Sequence, residues 1–240
     1  REFVYAEKTV GEKGSLKPEE AYNGGISFVQ SFNMKGGKSS FSVDYYYTHF
    51  INQTIIDLDK SAQAVYIYNL NGGYNGIGNK SYSHSLQVEF ILNPVQRFEI
   101  IAAYRFNDVR QTTDGKLQQK TLMSPHKALL NLNYATKFDK WKFSATLQYN
   151  SSMRLPNTQN NPVQYRLPSK SPGYFILNAQ ITKKYRDWEF YIGGENLLNY
   201  KQKNPILSAN DPFGEYFDAS IIYAPITGAM GYFGIRWTLK

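Results

Sequence analysis

The 240-residue chain contains no cysteine, which excludes disulfides and thiolate sites and leaves the redox compartment open. No apolar run approaches the ~18 residues of a membrane-spanning helix. With a mean hydropathy of −0.50, a helical membrane protein is excluded. Histidine is scarce, with His49, His84 and His126 far apart in the chain. The charge is not of one sign. Lys and Arg total 27 against 19 Asp and Glu, a formal +8, but the cations are scattered rather than gathered in a stripe. That scatter suits solvated rims and gives no nucleic-acid face. No secretory leader opens the chain, because Arg1 to Lys13 is polar and mixed in charge.

What is abundant is aromatic: 16% of residues, with 20 Tyr. The last stretch shows how they are used. From Met230 to Lys240, Phe233, Ile235, Trp237 and Leu239 fall on one face at period two, and Tyr232, Gly234, Arg236 and Thr238 on the other. Such alternation marks a strand with one apolar and one polar surface. The same pattern recurs upstream. A first strand is expected over Ala21–Asn33, a turn at Lys35–Lys38, and a return strand from Phe41 with Val43, Tyr45 and Tyr47 on one face. After a long segment from Asn52 to Lys80, Leu86–Leu92 leads to a turn expected at Asn93-Pro94, and Phe98–Phe106 returns. Asp114-Gly115 breaks the next loop. Ala128–Tyr134 descends to a turn near Lys137–Lys140. In the clearest strand, Trp141, Phe143, Ala145, Leu147 and Tyr149 alternate with Lys142, Ser144, Thr146, Gln148 and Asn150. A Pro- and Asn-rich loop spans Leu155–Pro172, Phe175–Ile181 descends, and Trp188–Ile192 ascends after a turn near Tyr185–Asp187. A last long loop, Lys201–Gly228, precedes the terminal strand.

About nine strands follow from the period-two criterion. Every second connection is short and the others are long, as in transmembrane β-barrels. Soluble sandwiches do not sort their loops this way. The fold class expected is all-β, an antiparallel transmembrane barrel with aromatic girdles at both interfaces and inward residues polar throughout. Gln30 is the exception on the outer face, sharing it with Ile26, Phe28 and Phe32. Single-chain bacterial barrels close with an even strand count. Nine strands, and no leader, lead us to expect that residues 1–240 are the C-terminal part of a larger barrel, with its two outermost strands not paired to each other.

Three stretches resemble the TonB-dependent receptors of the Gram-negative outer membrane. Leu16-Lys17-Pro18-Glu19 before a strand resembles a mid-barrel segment of that family, although Asn23 and Gly24 stand where it often carries an acidic residue. Glu195-Asn196-Leu197-Leu198-Asn199-Tyr200 is similar to the stretch ending its penultimate strand. Asp211-Pro212-Phe213-Gly214 to Ser220 resembles its last loop. At the terminus, Tyr232, Gly234, Trp237 and Leu239 resemble the signal read by the barrel assembly machinery, with Lys240 one residue beyond it. The resemblance covers about residues 14–240. It implies a plugged barrel of about 22 strands, whose plug domain and earlier strands lie outside this chain. It also implies an outer-membrane, multi-pass importer of a scarce nutrient (metal chelate, cobalamin or oligosaccharide), driven by the proton gradient through TonB. The implied partners are outer-membrane lipid and lipopolysaccharide, the TonB complex acting through the plug, and a surface lipoprotein, with no nucleic acid and no cofactor. Alternative readings are a passive porin or a surface-complex barrel.

Chemistry is sparse. Met123 with His126 falls short of the three or four ligands a metal site needs, so no metal site is expected. Asn71–Asn79, with Gly72, Gly73, Gly76 and Gly78, lacks the strand-then-helix frame of a phosphate cradle and reads as a loop. His84-Ser85 and Asp44 lie on different strands without a catalytic motif, so no enzyme is expected. The ligand-contact candidates are Arg154, Tyr165, Arg166, Asp211, Tyr216 and Asp218, polar and aromatic residues of the two longest late loops.

Overall fold

The computed structural model describes residues 2–5, 16–61, 64–71, 80–113 and 115–239. The Gly-rich stretch Gly72–Asn79 and the opening residues Ala6–Ser15 lie outside them. Twelve strands form one sheet: β1 (Glu2–Tyr5), β2 (Glu20–Met34), β3 (Gly37–Asp57), β4 (Ala64–Asn71), β5 (Ser81–Val95), β6 (Phe98–Thr113), β7 (Lys116–Gln119), β8 (His126–Ala135), β9 (Trp141–Asn150), β10 (Tyr174–Tyr185), β11 (Trp188–Glu195) and β12 (Met230–Trp237). Nine of them make the wall, antiparallel and in the order β2-β3-β5-β6-β8-β9-β10-β11-β12. The short β4 and β7 extend the far ends of β3 and β6, and β1 lies parallel to β4. Among the described residues β2 pairs only with β3 and β12 only with β11, so the sheet is open, as expected from nine strands.

Connections sort by side. At one end the chain turns at Lys35-Gly36, Gln96-Arg97, Thr136–Lys140 and Arg186-Asp187. Adjacent hairpins are tied there by backbone bonds such as Gly36 N–H to the Asn93 carbonyl and Thr238 N–H to the Asp187 carbonyl, each 2.9 Å. The turn expected at Asn93-Pro94 lies three residues later, at Gln96-Arg97. Pro94 has no N–H to give to the ladder, so the register shifts between Leu92 and Val95 and the strand continues past it. At the other end every connection between wall strands is long. The segment from Asn52 that reads as loop is strand as far as Asp57 and again from Ala64.

Cross-strand partners point to the same face, so the register sorts the wall into rows. One row reads Gln30, Phe41, Phe90, Ala102, Leu130, Leu147, Leu177. A row of the opposite face reads Ser27, Asp44, Gln87, Arg105, Lys127, Asn150. Gln30 thus does sit on the apolar face, its side-chain amide donating to the Ser31 carbonyl at 2.9 Å. The apolar face is open to its surroundings: Ile26 is 71% exposed, Ile192 64% and Phe233 83%. Among the described residues no second sheet covers it, and the buried apolar ones (Ile55, Val65, Leu70, Met153, Leu155, Leu207, Ile221 and Ala224) all belong to the long-loop end. An uncovered apolar surface this broad is of the kind that meets a membrane or a protein partner. The ten-residue β8 and β9 match the length of a membrane-crossing strand.

Aromatics cluster near both ends of that face. At the turn end Trp188 stacks on Trp237 at 5.6 Å and Lys183 lies 4.2 Å from the Trp141 ring. At the loop end, Tyr45 and Tyr104 share hydrogen bonds with His84 Nδ1 (2.8 Å) and His126 Nδ1 (2.7 Å) in the same diagonal geometry. The inner face carries a hydrogen-bonded ladder: Asn131 to Thr146 (2.7 Å), Asn133 to Glu99 (3.1 Å), Ser144 to Asn133 (2.8 Å), then Lys142 and Arg236 both to Glu189. That face is not polar throughout, which corrects the sequence expectation. Ile91 and Ile101 face each other on it, as do Leu129, Gln148 and Ile176 along the next row.

Candidate functional site

The long-loop end is a folded assembly with a core of its own. Met153, Leu155, Leu207 and Ile221 pack together, flanked by Leu122, Leu167, Tyr174 and Tyr223 from four stretches of chain. Backbone bonds stitch these stretches: Leu122 N–H to the Arg154 carbonyl, Leu155 N–H to Ser169, and a two-way bridge between Leu207 and Asp218. Gln202 is buried and acts as a bracket, donating to the Ile221 carbonyl at 2.8 Å and accepting from Tyr223 N–H at 2.8 Å.

The Glu195–Tyr200 motif sets where the last loop leaves the wall. Asn196 and Asn199 both adopt left-handed backbone, φ 50° and 53°, a region Asn tolerates better than most residues. The Asn196 side chain donates to the carbonyls of Tyr200 (2.8 Å) and Thr227 (3.2 Å) and accepts from Tyr200 N–H (3.1 Å). Asn199 accepts from Ala229 N–H at 3.1 Å, joining the start of the loop to its end. Tyr200 then stacks on Tyr174 at 4.8 Å. Burial pushes the phenols of Tyr200 and Tyr223 above their ordinary range, so both stay neutral.

The six contact candidates fall in different places. Tyr165 and Tyr216 come together, stacked at 5.4 Å and joining the loops that follow β9 and β11. The Glu215 carboxylate beside Tyr216 pushes its phenol up. Arg154 stands apart, forked onto Asp59 at 2.8 and 2.7 Å and bonded to Gln118. Arg166 Nε donates to the Asn161 carbonyl of its own loop at 2.8 Å. Asp211 opens the turn closed by Gly214 N–H, which presents Phe213 wholly to solvent. Asp218 is 2% exposed, and its Oδ1 accepts from Ser220 N–H and Oγ, so its carboxylate braces its own loop.

Sequence reading missed the partners of Arg154. A cavity of about 630 Å³ opens beside it, lined among others by Asp59, Lys60, Lys116, Gln118 and Lys170. Asp59 is 95 positions from Arg154, and no local signal links the two. Among the described residues no group of three His, Asp or Glu is placed to hold a metal ion.

At the terminal strand, Tyr232 OH donates to Gln180 Oε1 at 3.0 Å on the inner face. Gly234 lies under the Tyr191 ring, Trp237 is in the turn-end stack, and Leu239 is exposed.

Known proteins place this architecture. Among solved structures the chain is similar to the ferric-catecholate import receptor Fiu from K12 E. coli, with a TM-score of 0.62 and 14% identity over 96% of this chain and 30% of that one. It is similar to the pyoverdine outer membrane receptor FpvA from Pseudomonas aeruginosa PAO1, with a TM-score of 0.64 and 16% identity over 93% of this chain and 30% of that one. The copper transporter OprC gives a TM-score of 0.64 at 15% identity, over 92% of this chain and 31% of that one. At these identities the likeness shows the fold alone, and the chain spans about 30% of the length of these proteins. No curated protein matches it in sequence. The family model described as TonB dependent receptor-like, beta-barrel, matches residues 5–197, well over half of the sequence, and the chain therefore belongs to that family.

Proposed function

We propose that the chain is the C-terminal wall of an outer-membrane importer that takes up a scarce nutrient with energy delivered through TonB. Two further partners are a plug domain inside the barrel and the assembly machinery that reads the terminal strand. In this reading the apolar face meets lipid and the outer loops meet lipopolysaccharide. The folded loop end receives the ligand, and Arg154, the Tyr165–Tyr216 stack, Arg166 and Asp211 stand at or near its surface. Family neighbours whose names specify ferric chelates and copper make a metal complex a natural candidate cargo.

The observation that carries this reading over a passive porin is the inner face. Ile91, Ile101, Leu129 and Ile176 interrupt its polar ladder and are only half-buried. A water-filled pore would leave that patch wet, whereas a domain seated in the lumen covers it, and covering apolar surface is favourable by about 25 cal/mol per Å². The ladder beside it, from Glu99 through Asn133 to Ser144, offers hydrogen bonds to the same occupant.

Uptake by the intact receptor, measured in paired strains with and without TonB and with the proton gradient collapsed, tests the proposal. Loss of uptake in both conditions is expected. Undiminished uptake without TonB would establish passive diffusion instead.

A further inference from the structure

At the turn end, the apolar face of the wall carries a cation among its aromatics. Lys183 of β10 has Trp141 of β9 and Phe190 of β11 as its register partners, so it shares their face. Its ammonium lies 4.2 Å from the Trp141 ring, and among the described residues it meets no carboxylate. The neighbouring turns repeat the combination. Lys137 lies 5.2 Å from the Phe138 ring and Arg186 5.5 Å from the Tyr185 ring. Both rings are bare, Phe138 75% and Tyr185 58% exposed. A backbone bond of 2.9 Å from Lys184 N–H to the Lys140 carbonyl ties the two hairpins side by side. Lys184 itself shares the inner face with its partner Glu189 and stands outside the group. Four exposed cations, Lys137, Lys140, Lys183 and Arg186, thus gather with two acids, Asp139 and Asp187.

A cation over a ring keeps its formal charge and the N–H donors turned away from the ring. Charge at the rim, rings beneath it and apolar side chains below them follow the order of a phospholipid from phosphate to acyl chain. Phosphate oxygens accept short, strong bonds from ammonium and guanidinium groups. Near a membrane surface each such cation favours anionic lipid by roughly fivefold. A water-soluble acidic partner would meet the turns but not Lys183, which is set between Trp141 and Phe190 on the apolar face. We infer that the β8–β9 and β10–β11 hairpins hold an anionic phospholipid. Its phosphodiester sits at Lys183, Arg186 and Lys140, and its acyl chains lie on Phe143, Ile181 and Phe190. The inference rests on reading the apolar face as the lipid face, and deepens it to a headgroup class at one place on the wall.

The intact receptor in lipid vesicles tests it through Trp141, whose fluorescence brominated acyl chains quench. The Trp141 signal is the difference between the receptor and its Trp141→Phe variant, which keeps a ring under Lys183. The probes are brominated phosphatidylglycerol and brominated phosphatidylcholine, each diluted into unlabelled phosphatidylcholine. At low salt phosphatidylglycerol should quench at a mole fraction at least about fivefold lower, and added salt should shrink the difference. Lys183→Gln with Arg186→Asn should remove most of that preference; Asn suits the left-handed backbone at position 186, φ 56°. Lys183→Gln alone should weaken it, so the test does not depend on assembly of the double variant. Lys183→Arg should keep it, as should Lys35→Gln with Lys38→Gln at the distant β2–β3 turn. Inorganic phosphate and glycerol phosphate, at matched ionic strength, should not compete, because they lack acyl chains. Competition by either would make this a site for soluble phosphate and overturn the lipid. Equal quenching by both lipids, or a preference indifferent to the Lys183 and Arg186 changes, would overturn the inference and leave the lipid-facing wall standing. Quenching by neither lipid would overturn both.

Discussion

The hydroxyl end of Tyr191 lies over Gly234, its cross-strand partner. A Cβ built on that glycine would sit 2.2 Å from the tyrosine hydroxyl. One row along, the relationship is reversed, with Tyr232 over Gly193 and a built Cβ 2.5 Å from its ring. The hydroxyl end of each tyrosine covers backbone that the glycine leaves bare, and the two rings meet edge-on, 6.4 Å apart at 60°. The Tyr232-x-Gly234 pattern at the terminus is therefore half of a reciprocal pair completed by β11.

Gly234→Ala should push Tyr191 off its partner and destabilise the β11–β12 pair by about 1–3 kcal/mol, the usual cost of overpacking. Tyr191→Ala in the same background should recover most of it. Denaturant titration of the receptor refolded into vesicles reads both, and failure of the double variant to recover would place the strain elsewhere.

Leu147 stands in the outer row between Leu130 and Leu177, and Thr146 on the inner face accepts from Asn131. Leu147→Arg should cost ~2–4 kcal/mol as a charge in hydrocarbon. Thr146→Arg should cost about 0.5–1.5 kcal/mol, the worth of one hydrogen bond. Similar losses in the same titration would reverse or erase the assignment of faces.

Asn196 combines left-handed backbone with three hydrogen bonds to Tyr200 and Thr227. Asn196→Gly should lose the bonds alone, about 1–3 kcal/mol. Asn196→Ala should lose them and add roughly 1–2 kcal/mol of backbone strain. Alanine and glycine variants of equal stability would show that the turn does not depend on its conformation.

Ile221 is 2% exposed at the centre of the loop core. Ile221→Ala should cost ~2–5 kcal/mol locally and open the loops to added protease in intact cells, while the wall, which touches that core through Tyr174 at the start of β10, assembles normally. Loss of assembled receptor along with the loops would mean that the core and wall fold as one unit.

The sequence by itself determined the repeating unit of this protein. In Trp141–Asn150 a side chain's face depends only on its parity along the strand, so alternation reports the apolar and the polar face without any partner in view. For the same reason Gln30 could be placed on the outer face despite its polarity, and the sorted loop lengths and odd strand count carried the architecture. Pro94 shows the limit within a strand: a proline that reads as a turn also fits a register shift, and only the ladder on either side decides between them. The loop end was decided by tertiary structure. Asp59 meets Arg154 across 95 positions, Tyr165 finds Tyr216, and Leu122 joins a core with Ile221. These contacts depend on which strands are neighbours and how far each projects beyond the wall, distances set by the pairing of the whole sheet and not by any local stretch of chain.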